Sequence, residues 1–87
     1  MNTALIVFAS SVWGSRLKTL ATNAHIKDVR ITQTPNSIKS AGCSYSLRVN
    51  MHDLDDILKL AARYNVRFTA VYKEEYDIAG TIVYKKL

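Results

Sequence analysis

An α+β fold of the ferredoxin-like type, a βαββαβ two-layer sandwich with room for one further C-terminal strand, is what this sequence predicts. Three observations carry the prediction. The chain has 87 residues, enough for one small hydrophobic core and no separate catalytic module. Its apolar pattern runs strand, helix, strand, strand, helix, strand, so the βαβ unit occurs twice. Each helical segment carries its apolar residues in one stripe, which suits a single helix layer on a single sheet. Right-handed crossovers then put the third strand between the first and second, and the first between the third and fourth. The sheet is antiparallel, both helices share one face, and the other face stays open.

The elements follow in order. Ala4-Leu5-Ile6-Val7-Phe8 is a short continuous apolar run with β-branched members, the pattern of a central strand. Ser10 or Ser11 then offers a side-chain oxygen to the free amides of a first helix, whose stripe is Trp13, Leu17, Leu20, Ala21 and Ala24. Asn23 tolerates a left-handed stop, and Val29 to Thr34 resumes a β-branched pattern that ends at Pro35. Pro35 to Gly42 is polar and irregular, hence a loop. From Cys43, the alternation of Tyr45, Leu47 and Val49 against Ser44, Ser46 and Arg48 predicts a half-buried third strand.

The second helix has a capping-box signature, Asn50 followed three residues later by Asp53, with Val49 able to staple to Leu54. Leu54, Ile57, Leu58 and Ala61 form its stripe, and Asn65 suits a left-handed stop. Val66 to Tyr72 is the expected fourth strand. Residues 1–73 thus make the ferredoxin-like domain. Residues 74–87 form an extension in which a turn at Gly80 precedes the strand-like Thr81-Ile82-Val83-Tyr84, serving as an added strand or a dimer contact.

Twelve basic against seven acidic residues give a net charge of +5, which favours anionic partners without naming one. No apolar run approaches the roughly 20 residues of a membrane span. The start, Met1 to Phe8, has neither the basic opening nor the cleavage site of a secretory signal, so a cytoplasmic location is expected. The single Cys43 forms no internal disulfide, and with the scattered His25 and His52 it makes no metal site. Sulfur chemistry here is the chemistry of one thiol.

The topology brings the loop after the second strand to the same sheet end as the start of the first helix. Cys43 is therefore expected near the amides of Ser10, Ser11 and Val12, where the helix start carries roughly half a positive charge. Such a site lowers a thiol pKa from its usual value of about 8.5, and Lys39, Gly42 and Ser44 fall around it. It would also hold a small anion. The alternative is a cysteine packed in the core as a small hydrophobe, and both readings are open on residue type alone.

Other constellations argue for structure. Asp53, Asp55 and Asp56 suit helix capping and the helix dipole better than a metal. Neither histidine has a partner that would make it a general base, and Trp13 matches the core stripe rather than a ligand lid. No Ser-His-Asp set, phosphate loop or dinucleotide fingerprint is present.

The order of segments, with Thr34-Pro35, Cys43 and Leu47-Arg48 at recognisable positions, resembles the selenium/sulfur carrier protein-like family over about residues 4–73. The resemblance implies that Cys43 carries sulfur or selenium as a covalent persulfide or selenosulfide, with no other cofactor. It also implies donor and acceptor proteins as partners, and an accessory role rather than that of a complete enzyme. Family members commonly have Gly directly after this Cys, whereas here Gly42 precedes it and Ser44 follows.

A carrier needs an exposed low-pKa thiol and a docking surface, for which Arg48, Arg67 and Lys73 are the candidate residues. A second reading is a protein-binding or regulatory oligomerisation module that forms a homodimer through residues 78–84. An RNA-binding domain ranks below both. The central strands offer only Phe8 and Tyr45, so the paired aromatic platform that such a sheet needs is not evident, and nucleic acid is the least favoured partner.

Overall fold

The apolar run near the start of the chain becomes the centre of the sheet. A computed structural model describes residues 2–38 and 45–87, and in it β1 (Thr3–Phe8) pairs on both sides. It is followed by α1 (Ser11–Asn23), β2 (Arg30–Gln33), β3 (Tyr45–Asn50), α2 (Met51–Arg63), β4 (Ala70–Tyr76) and β5 (Ile82–Lys86). The strands form one antiparallel sheet in the order β2-β3-β1-β4-β5. This is the predicted βαββαβ arrangement with an added edge strand.

Alternation along β1 divides the structure into its layers. Ala4, Ile6 and Phe8 turn toward the helices and join Leu17, Ala21, Leu47, Val49, Leu54, Ile57 and Ala61 in one buried cluster. Leu5 and Val7 point to the opposite, helix-free face, yet both are buried. Leu5 stands between Arg48 and Tyr72 in register, and long side chains of that kind lay their stems over apolar neighbours.

Both helices stop by the same device. After α1, His25 takes φ 65°, its amide donates to the Thr22 carbonyl, and the Ile26 amide donates to the Ala21 carbonyl. After α2, Asn65 takes φ 55°, and the amides of Asn65 and Val66 donate to the carbonyls of Ala62 and Ala61. These paired bonds satisfy otherwise free carbonyls, and the apolar residue that follows packs back on the core. Asn65 fills its predicted role. The left-handed residue of the first helix is His25 instead of Asn23, because α1 continues to Asn23 with Ala24 as its cap.

Two further expectations change. Asn50 is the cap of α2 but makes no side-chain cap bond. The Met51 amide donates instead to the Asn2 carbonyl at 2.8 Å, and the Asn50 side-chain amide donates to Asp28 at 3.2 Å. The capping box is superseded by the start of β1. The fourth strand begins at Ala70, not Val66, because Val66 closes the end of α2, and it runs on to Tyr76 between two partners. In the stretch from 74 the expected added strand is β5, which pairs with β4, and Asp77 closes the turn by accepting from the Thr81 amide at 2.9 Å, with Gly80 at φ 81°.

Gly14 lies buried inside α1, where an added Cβ would meet the Phe8 ring at 3.5 Å, an ordinary van der Waals separation. Glycine in a helix interior costs about 0.5–1 kcal/mol relative to alanine. Gly14→Ala is expected to stabilise the fold by about that amount, and urea unfolding midpoints measure it.

Candidate functional site

The end of the sheet where β1 runs into α1 is built by side chains that fasten one segment to the next. Ser10 is the helix cap, with its hydroxyl accepting from the Val12 amide at 3.2 Å, and Ser11 is exposed. Thr69 donates to the Val7 carbonyl through both its amide, at 2.7 Å, and its hydroxyl, at 3.1 Å. Thr34 is buried, and its hydroxyl lies 2.7 Å from that of Ser46, also buried. This pair ties the exit of β2 to β3. Beyond it, the Ile38 amide donates to the Pro35 carbonyl, closing a turn. Lys39, Gly42, Cys43 and Ser44 lie outside the described residues.

What is described around them is the frame. Tyr45 pairs with Phe8, so the chain enters β3 beside the exit of β1. Ser10 lies two residues beyond Phe8, and Cys43 two residues before Tyr45. The start of α1 directs its free amides to this end. The C-terminus of α2, of opposite partial charge, also lies here, with its carbonyls satisfied by the bonds above and with Arg63 in its last turn.

The three basic residues considered for partner binding are not brought together. Arg67 is exposed at this end, just after α2. Arg48 sits farther down β3 on the helix-free face, opposite Leu5. Lys73 sits on the opposite sheet face, opposite Ala4, with its ammonium 3.4 Å from Glu75.

Arg48 instead anchors a buried polar cluster that residue patterning did not reveal. Its guanidinium forks onto Glu74, Nε to Oε1 at 2.9 Å and Nη2 to Oε2 at 3.2 Å, while the Thr3 hydroxyl donates to Oε1 at 2.8 Å. The Glu74 side chain is only 1% exposed. The cluster spans β3, β1 and β4 across the helix-free face. By register that face also carries Tyr72, Tyr76 and Tyr84. Phe8 and Tyr45, the aromatics that the central strands offer, pair on the helix side and not on this face.

Tyr84 is held above the ordinary tyrosine value of 10.0, first by burial and then by the charge of Glu74, with Arg48 opposing. The folded chain therefore keeps this proton after the unfolded chain has lost it. Its contribution to stability is constant below 10.0 and lost as pH rises through that value toward the raised one. Tyr84→Phe should flatten this alkaline loss, as read by urea unfolding at pH values on either side of 10.0; equal losses in both proteins would contradict it.

Among the described residues, no three His, Cys, Asp or Glu side chains are grouped to hold a metal. No helix there is long and apolar enough to cross a membrane. No curated protein and no solved structure matches the chain. A family model does match: residues 3–73 fit the family described as "Putative Se/S carrier protein-like". The match runs from the first residue of β1 into the middle of β4 and takes in the frame around the loop, so this chain belongs to that Se/S carrier protein-like family.

Proposed function

We propose that the domain is a sulfur or selenium carrier in the cytoplasm that accepts a chalcogen on Cys43 from a donor protein and hands it to an acceptor. The family membership of residues 3–73 carries this reading. The described frame supports it. In sequence Cys43 is two residues before Tyr45, whose pairing partner Phe8 leads into the start of α1. A helix start favours a thiolate, the form of sulfur that attacks.

The transfer balances without an added oxidant. The Cys43 thiolate attacks the outer sulfur of a donor persulfide, the donor's S–S bond breaks, and the donor leaves as a thiolate. Cys43 then holds a persulfide. In delivery, an acceptor nucleophile takes the outer sulfur and the Cys43 thiolate departs. Selenium follows the same course through a selenosulfide. Ser10, Ser11, Lys39, Gly42 and Ser44 are the residues assigned to steady the anionic sulfur, and Arg67 is the one described partner-binding candidate at this end.

The test is direct loading. The full chain is incubated with a small-molecule persulfide, and its intact mass is measured before and after reduction. The proposal expects a reducible adduct of one chalcogen atom per chain; a chain that takes up none rejects it.

A further inference from the structure

All seven acidic residues lie away from the α1-start end of the domain. Asp28 precedes β2, Asp53, Asp55 and Asp56 occupy the first half of α2, and Glu74, Glu75 and Asp77 occupy the far half of β4 and its turn. The described segments that build the end itself, residues 9–14, 33–38, 45–46 and 60–70, contain no Asp or Glu. They supply Arg63 and Arg67 among the described residues. The segregation is not legible as a charge run, because it arises only when α2 and β4 return their acidic halves to the opposite end.

The same end exposes apolar side chains. Val12, in the first turn of α1, is 70% exposed, and Tyr64 and Phe68 are also exposed. Between the first turn of α1 and the end of α2 runs an open groove of about 660 Å³, lined by Trp13, Ala61, Ala62, Asn65, Val66 and Arg67. A concave surface that combines an aromatic ring and apolar side chains with a single cation, and has no acidic residue in its lining, has the make-up of an interaction site.

We propose that this groove docks an acidic segment of a partner protein, with an apolar side chain of that segment seated against Trp13 and Val66 and a carboxylate facing Arg67. The proposal rests on the carrier reading, in which this end presents Cys43 to donor and acceptor. A protein segment fits better than nucleic acid: a phosphate backbone needs a track of cations, whereas here the one cation lining an otherwise apolar and amide-bearing groove is Arg67. Charge complementarity of this kind raises the rate of encounter and fixes orientation, as a brief transfer complex requires.

The probe is an amidated acidic peptide with a central Leu-Trp pair, titrated into the isotope-labelled full chain and followed by amide resonances. Shifts should centre on Trp13, Val66 and Phe68. Arg67→Glu, at an exposed position, should weaken binding by about tenfold or more. A peptide with Gln and Asn in place of its acids should bind as weakly. Shifts centred elsewhere, equal binding of the neutral peptide, a single-stranded RNA that displaces the peptide, or a dimer that covers this groove in sedimentation would each overturn the proposal. Cys43→Ser should bind the peptide as the parent does. Sulfur loading without peptide binding defeats the docking proposal alone, and peptide binding without sulfur loading defeats the carrier reading alone.

Discussion

Cys43→Ser is expected to abolish chalcogen loading completely, because a serine hydroxyl is neither ionised near neutral pH nor able to form a persulfide. The chain has no second thiol to take over the role. Methionine sulfur is no substitute, since a thioether has no proton to lose and cannot be the attacking thiolate. The contrast is therefore total loss against full loading, larger than any graded effect of the surrounding residues. Circular dichroism on the same sample verifies that the fold persists. Loading that survives in the serine variant would show that the chalcogen resides elsewhere and would remove Cys43 from the account.

The largest effect on stability is expected from Arg48→Met. Glu74 is covered to 1% exposure, and its carboxylate is held by the Arg48 fork and by one hydroxyl from Thr3. Methionine keeps much of the aliphatic stem but removes the guanidinium bonded to that carboxylate. Breaking a buried pair from one side costs about 3–5 kcal/mol. Because Arg48 is 40% exposed and water can reach the vacated position, about 2–3 kcal/mol is expected here. In a domain of this size that lowers the melting temperature by about 10–20 °C. The decisive comparison is the double variant Arg48→Met with Glu74→Met, which removes both charges and should recover much of the loss. If the double variant falls as far as the sum of the single ones, the residues act independently and the cluster does not hold the three strands together.

The cluster also shows where sequence reading stops. Helices, strand order and the helix-facing core were legible, because Leu17 and Ala21, or Leu54, Ile57 and Ala61, repeat at helical spacing, and Leu47 and Val49 alternate as a strand should. The helix-free face was not. Ser46 and Glu74 look like solvent-facing residues until the assembled sheet brings the Ser46 hydroxyl to that of Thr34 and Glu74 to Arg48, partners 12 and 26 positions away. Local periodicity carries no information about register across a crossover. The Val66 to Tyr72 segment misled for a related reason. Val66 has strand propensity, but closure of the α2 terminus at Asn65 takes priority and delays pairing until Thr69 reaches Val7.

The candidate site was legible in part. Ser10 as the start of α1 and the adjacency of the β1 exit to the β3 entry follow from topology, and the structure has both. Lys39, Gly42, Cys43 and Ser44 fall outside the described residues. The basic residues Arg48, Arg67 and Lys73 share only their sign, and charge sign in a sequence says nothing of shared location. The gathering of every acidic residue away from the α1 start is a product of the fold alone.

The rate at which Cys43 is alkylated, measured against pH on the native chain, bears most directly on the central claim. An accessible thiolate steadied by the start of α1 predicts rapid reaction with a midpoint clearly below about 8.5. A midpoint at or above that value, or protection until the chain unfolds, would contradict the claim.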